Sequence, residues 1–304
     1  PVMDWQMMRD LALLAPHITP TTGNIFFVHA TQGNTTNPGT SSVAPLSTID
    51  AAINLCTANH GDIVVVMPGH TENITAATSL VMDVAGVQII GLGQATTRPV
   101  LTFTAVGSNI PISAANNRIS NIVFSAGIAS VVSGVTVSAA NVDIDNCLWT
   151  FGATTFSFVA SILTTAGATY LEVHHNVFNS EVGGATATRA ITMVGLLKPK
   201  ILDNIFYGTW TDSVIVGVTT LSSQCLIGRN VLYNSDTGGY NGIDGGNGLA
   251  TTGMVFDNRI TTLYPSPLNR QNRVVNMTFA GNLGVNTVAE CAGWNQLLTA
   301  ASSV

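Results

Sequence analysis

The sequence predicts an all-β solenoid whose successive coils stack in parallel, and three observations carry that expectation. A six-residue frame with apolar ends recurs through the chain, every copy holds an asparagine in its middle, and only 9% of residues are charged, far below the usual quarter or so. The frames are Ile119–Phe124 (ISNIVF), Ile144–Trp149 (IDNCLW), Val173–Phe178 (VHHNVF), Ile201–Phe206 (ILDNIF), Ile227–Leu232 (IGRNVL), Val255–Ile260 (VFDNRI) and a weaker Phe279–Gly284 (FAGNLG). Their starts lie 24 to 29 residues apart.

A unit of this length cannot bury an apolar face alone, so stacked neighbours must build the core. Short segments rich in Val, Ile and Phe, separated by Gly, Ser, Thr and Asn, fit strands and turns rather than helices. Parallel stacking places matching residues about 4.8 Å apart. The recurrent asparagines are Asn121 and Asn146 at the third place of the frame, then Asn176, Asn204, Asn230, Asn258 and Asn282 at the fourth. They are expected to form a scaffold ladder at a turn, each amide bonding to backbone or to the next asparagine, each backbone tolerating a left-handed conformation.

Along the chain, residues 1–24 form an N-terminal arm, residues 25–290 the coils and residues 291–304 a C-terminal cap. Met3–Ala15 reads as a short helix with Asp4 as cap and Trp5, Met8, Ala12 and Ala15 at helical spacing. Trp5 and Met8 are candidate contacts with a partner. A second helix follows Ser47, a potential cap with Asp50 three places on, and its face of Ile49, Ala52, Ile53 and Cys56 suits closure of an open solenoid end. The stretch DIVVVMPG is a strand ended by Pro68-Gly69, and Val87–Gly93 is a buried strand that breaks at a glycine turn. Tyr233–Gly253, with seven glycines, reads as an excursion from the coil, and its Tyr240 is a third candidate contact. In the C-terminal cap, Trp294, Leu297 and Leu298 are expected to turn inward.

The net charge of -6, with ten basic residues spread along the chain, gives no footprint for nucleic acid or for an anionic membrane. No apolar run is long enough to span a bilayer, and the first residues lack the pattern of a secretory signal. Cys56, Cys147, Cys225 and Cys291 are far apart and read as small buried hydrophobes, so neither a metal nor a cofactor is expected. A surface so poor in charge implies burial against other subunits.

Charged residues fall into columns. The place before each frame holds Arg118, Asp143, Glu172, Lys200, Leu226, Met254 and Thr278, so stacking sets Arg118 beside Asp143 and Glu172 beside Lys200. Arg229 falls between Asp203 and Asp257 in a second column. His174 and His175 take the second and third places of their frame, at a strand end or turn, where a scaffold role is favoured over catalysis.

The stretches Gly33–Ile53 (GNTTNPGTSSVAPLSTIDAAI), Gly61–Ile74 (GDIVVVMPGHTENI) and Ile89–Gly93 (IIGLG), with the asparagine-bearing coils, resemble the pectate-lyase-like superfamily over residues 25–290. The resemblance implies a right-handed parallel β-helix with short capping α-helices. That superfamily includes polysaccharide lyases and hydrolases, phage tailspikes and non-catalytic virion proteins, so fold alone does not assign activity. Its lyases use a basic Arg or Lys and hold Ca²⁺ among acidic side chains. By that analogy the catalytic candidates are Asp143, Asp145, Glu172, His174 and Lys200. Nothing resembles the lyase arginine motif, and the acidic pairs of the polygalacturonase-type hydrolases are absent. Asp203 and Asp257, two rungs or about 9.6 Å apart, nearly reach the wider glycosidase spacing, but Arg229 between them would hold both ionised. Tyr207, Trp210, Tyr233 and Tyr240 are the candidate sugar-stacking aromatics.

The favoured reading is a structural virion protein: a homotrimeric phage capsid decoration or cement protein, made in the host cytoplasm and bound to the major capsid protein at the capsid surface. A tailspike-type lyase or hydrolase and a non-catalytic glycan-binding module are the alternatives.

Overall fold

A computed structural model describes residues 21–180, 187–238, 242–245, 251–262, 272–273, 277–285 and 296–297. Among them the strands form two ten-stranded sheets and one seven-stranded sheet that run the length of a right-handed parallel β-helix. Pairing between coils is parallel throughout, and the short strand Gln296–Leu297 pairs antiparallel with Leu283–Val285 at the far end.

The six-residue frame is not one strand but two strands meeting at a corner. In the third frame, Glu172–His174 belongs to the first sheet and Val177–Ser180 to the second, with His175 and Asn176 between them. Strand alternation then sorts the side chains. Ile119, Ile144, Val173, Ile201, Ile227 and Val255 point inward from the first sheet and are buried. In the second sheet the inward column is Phe124, Trp149, Phe178 and Phe206. Their rings stack with centroids 4.2, 5.5 and 4.6 Å apart.

The corner divides the asparagines into two columns, which corrects the single ladder expected from sequence. At the third place the backbone is left-handed in every coil: φ is 59° at Asn121, 52° at Asn146, 56° at His175, 57° at Asp203, 55° at Arg229, 52° at Asp257 and 64° at Gly281. Such a conformation costs an ordinary side chain roughly 1–2 kcal/mol, and the fold imposes it on His, Asp and Arg alike. The fourth place is fully buried and holds the true ladder. The Asn176, Asn204, Asn230 and Asn258 amides donate to Oδ1 of Asn204, Asn230, Asn258 and Asn282 at 3.0, 3.1, 2.9 and 2.9 Å. The same oxygens accept the preceding coil's backbone N–H at 2.9–3.0 Å. Asn204 Nδ2 also reaches Val173 O at 2.8 Å and Leu202 O at 3.0 Å. Corner backbone groups that no sheet partner meets are thereby satisfied without water. The ladder ends at Cys147, whose N–H donates to Asn176 Oδ1 at 2.9 Å. Asn121 and Asn146, on the left-handed column, bond instead to Gly91 O and Gly93 O and to Asp145.

At the near end, Ile25–Val28 is the edge strand of the first sheet and precedes the helix Ile49–Ile53 in the chain. Thr48, not Ser47, caps that helix, its hydroxyl accepting from Ala51 N–H at 3.3 Å. Ile49, Ala52 and Ile53 are buried in the main core. Within the glycine-rich stretch, Ile243–Asp244 returns to pair with Ile215–Gly217 in the third sheet, so the excursion rejoins the coil midway. Trp5, Met8, Tyr240, Trp294, Leu298 and the rest of the N-terminal helix candidate lie outside the described residues, while Leu297 of the cap falls in the antiparallel strand at the far end. No helix among the described residues is long and apolar enough to cross a membrane.

Replacing Asn204 by Leu leaves Asn176 N–H and the carbonyls of Val173 and Leu202 buried without that partner. The expected cost is about 2 kcal/mol or more, read as a lower urea midpoint with an unchanged m-value.

Candidate functional site

The candidate polar site is a product of stacking. Two outward columns of the first sheet run side by side in register. One is Arg118, Asp143, Glu172 and Lys200; the other is Ser120, Asp145, His174 and Leu202. All five sequence candidates, Asp143, Asp145, Glu172, His174 and Lys200, therefore share one face, but the structure sorts them into separate pairs.

Asp145 is fully buried and is held by the diagonal Arg118 as well as by its lateral neighbour Ser120. Arg118 donates from Nε to Oδ2 at 2.6 Å and from Nη2 to Oδ1 at 3.0 Å, Ser120 Oγ adds 2.7 Å and Asn146 Nδ2 2.5 Å. Burial pushes this carboxyl up, and the hydrogen bonds from Arg118 and Ser120 override it, holding the group below the usual carboxylate range. Arg118 also lies 3.6 Å from Asp143. The His174 imidazole sits with Nε2 3.0 Å from Asp143 Oδ1 and Nδ1 2.8 Å from His175 Nδ1. The Asp143 hydrogen bond raises the His174 pKa from its ordinary value, against the effect of burial. Lys200 Nζ pairs with Glu172 Oε1 at 2.5 Å, both groups nearly half exposed. Arg229 does not bridge two carboxylates evenly, as its place in the column had implied: it grips Asp203 with Nε–Oδ1 2.8 Å and Nη2–Oδ2 2.6 Å, and that contact lowers the Asp203 pKa.

Asp143, Asp145 and His174 each offer one ligand atom within 4.8 Å of the others, close enough to be tested as a cation site. Arg118, however, occupies both oxygens of Asp145, and Ca²⁺ takes six to eight oxygens. A cation there would have to displace the guanidinium. The cluster as it stands is a self-neutralised network. Cys147 and Cys225 are buried free thiols pushed up to about 12 by burial, which removes them as nucleophiles.

Sequence reasoning missed Arg118 as the partner of Asp145, because a diagonal contact two residues along the next strand has no signature in a lateral column, and it did not assign Ser120, the lateral neighbour, a role. It also missed a surface feature of the second sheet. The fifth place of the frame is apolar but points outward, so Val100, Val123, Leu148, Val177, Ile205 and Val231 form one aliphatic column in register, ending at Arg259. It spans roughly 24 Å; Ile205 and Val231 are each 44% exposed, while Val123 is buried at 8%. Of the sugar-stacking candidates, Tyr207 and Tyr233 face each other across one rung of this sheet. Trp210 is a core residue at 1% exposure, which corrects its assignment as a surface aromatic.

No protein-family model matches the sequence, and no curated protein matches it significantly. Among solved structures the fold is similar to pectate lyase Pel9A, with TM-score 0.50 and 15% identity over 93% of this chain and 82% of that one. It is also similar to a rhamnogalacturonan lyase (TM-score 0.43, 12% identity, 79% and 74% covered) and to the GH136 lacto-N-biosidase from Eubacterium ramulus (TM-score 0.46, 13% identity, 92% and 65% covered). At these identities the likeness is one of fold.

Two predictions follow from the network. Removing Arg118 (Arg118→Leu) strands the buried Asp145 carboxylate and is expected to cost about 3–5 kcal/mol. Since folding depresses the Asp145 pKa, the stability this pair supplies is present above the unfolded carboxylate value and lost as pH falls through the folded one, so the variant should also show a weaker acid dependence in chemical denaturation. His174 has the opposite sign. Its folded pKa is raised above 6.5, so its contribution is complete below that pH and lost as pH rises through the folded value. An NMR titration should place the His174 midpoint above 6.5 and find it lowered by Asp143→Asn.

Proposed function

We propose that this β-helix is a structural subunit that acts by assembly: a homotrimer serving as a capsid decoration or cement protein on a phage head, in contact with the major capsid protein. The observation that carries the reading is the outward aliphatic column from Val100 to Val231. A monomer would leave its most exposed members, Ile205 and Val231, in water. The columns of a solenoid run parallel to its axis, so copies arranged around a shared parallel axis can pack this column rung against rung along its length. The 9% charge content fits a chain whose surface is covered by neighbours, since interface cores are depleted of charge. The acid and base groups of the first sheet support the same reading, because Asp145, Glu172 and Asp203 are each engaged by a cation and Lys200 is held by Glu172.

One observation favours a second reading, a tailspike-type polysaccharide lyase or hydrolase: His174, with its raised pKa beside Asp143, lies on the face that also carries Lys200. That reading expects glycan products whose formation stops in His174→Gln. Tyr207 and Tyr233, on adjacent rungs, would serve a glycan-binding module, with saturable binding and no turnover.

Sedimentation of the full chain is expected to give a trimer at micromolar concentration, and Ile205→Lys with Val231→Lys is expected to weaken association at least about 100-fold. Both side chains point outward, so the coil itself should keep its circular-dichroism signature. A monomer before substitution, or an unchanged trimer after it, would contradict the proposal.

A further inference from the structure

His174 and His175 are adjacent in the chain, and in a regular strand their side chains would point to opposite faces of the sheet. The corner prevents that. Strand Glu172–His174 ends at His174, and His175 takes a φ of 56°, which brings its ring to the same side as its neighbour's. The ring centroids are 5.1 Å apart with planes at 86°, and the two Nδ1 atoms lie 2.8 Å from each other. His174 is half-buried and His175 is exposed, so solutes reach the pair. The two preceding coils hold Ser120 with Asn121 and Asp145 with Asn146 at these places, so the paired imidazoles belong to this coil rather than to the repeat. The assembly reading leaves them without a task.

We propose that the Nδ1 atoms of His174 and His175 chelate a divalent transition metal of tetragonal preference, Cu²⁺ above all. Two metal–imidazole bonds of about 2.0 Å at a right angle set their nitrogens about 2.8 Å apart, whereas a tetrahedral Zn²⁺ needs about 3.3 Å. The observed 2.8 Å matches the right angle. Among tetragonal ions, Cu²⁺ binds nitrogen ligands more tightly than Ni²⁺. The far nitrogen of His174 is placed as metal-binding imidazoles require: Nε2 faces Asp143 Oδ1 at 3.0 Å, so a proton held there fixes the ring and leaves the Nδ1 lone pair directed at His175. Asp203 follows one rung beyond His175 on the same left-handed column, and its charge adds to that of Asp143 in attracting a cation. Arg229 holds both Asp203 oxygens, so Asp203 stays outside the coordination shell and water completes it. Asp145 is different, since a cation there must displace Arg118; at the imidazole pair the ion replaces only the proton between the rings. The inference does not depend on the trimer.

Titration of the full chain with Cu²⁺ in a non-coordinating buffer at neutral pH, followed by electron paramagnetic resonance, tests it. The first equivalent should bind with a micromolar dissociation constant and show hyperfine coupling to two imidazole nitrogens. His175→Asn and His174→Ser introduce residues that earlier coils already carry at these places, Asn146 and Ser120, so both variants should keep the native circular-dichroism spectrum. Each should weaken binding at least about 10-fold and remove the two-nitrogen signature. Asp143→Asn should weaken binding about 10-fold and keep that signature, because Asp143 orients the ring without touching the ion. His60→Gln, at an exposed histidine of the near end, should change neither. A native protein without the two-nitrogen signal, a signal that survives His175→Asn, or Zn²⁺ bound more tightly than Cu²⁺ would overturn the proposal.

Discussion

Parallel in-register stacking is the constraint on which everything else rests. Each coil lies about 4.8 Å from the next, so a side chain's nearest neighbours above and below come from the same place in the repeat. A group buried at one rung must be satisfied by the same column at adjacent rungs. Asparagine suits the fourth place of the frame because its amide is both donor and acceptor: Asn204 takes the N–H of Asn176 and passes its own donors to Val173, Leu202 and Asn230. The first two frames place Ile122 and Cys147 there; from Asn176 onward a hydrophobic residue would remove the ladder's partners, and a carboxylate would bring repulsion at every rung. The aromatic column, Phe124 to Phe206, overlaps this ladder only at the Asn176 and Asn204 coils.

The same rule governs the outside. Like charges stacked at this spacing repel, so the outward columns alternate in sign or change to neutral residues, as in Arg118, Asp143, then Glu172 and Lys200. The one same-sign step, Asp143 to Glu172, is relieved by His174 beside Asp143 and Lys200 beside Glu172. Most of these charged groups are thereby committed to one another, and the area left exposed on the second sheet is apolar. This is why the aliphatic column of the second sheet, rather than the acidic cluster, carries the functional reading.

The repeat, the strand class and the position of the corner were legible in the sequence, because a period of 24 to 29 residues with apolar ends has few structural solutions. Four features were not. Asparagine suits both a left-handed corner and a buried ladder, so Asn121 and Asn146 were indistinguishable by type from Asn176. Only the backbone separates the columns, and His175, Asp203 and Arg229 adopt φ near 55° against their own preference. The outward column was hidden for a related reason: an apolar residue within an apolar frame reads as core, yet Val177 and Phe178 face opposite sides of one strand. The pairing of Arg118 with Asp145 escaped because it runs diagonally across rungs, and the cap moved from Ser47 to Thr48 because either hydroxyl fits a helix start.

The proposed assembly role is tested most directly by whether the protein occurs in a virion, and at what copy number. Protein-composition analysis of purified virions is predicted to find it on the shell at a high and fixed copy number that is a multiple of three. Its absence from the particle, or a few copies confined to the tail, would contradict the account and return attention to His174 and Asp143.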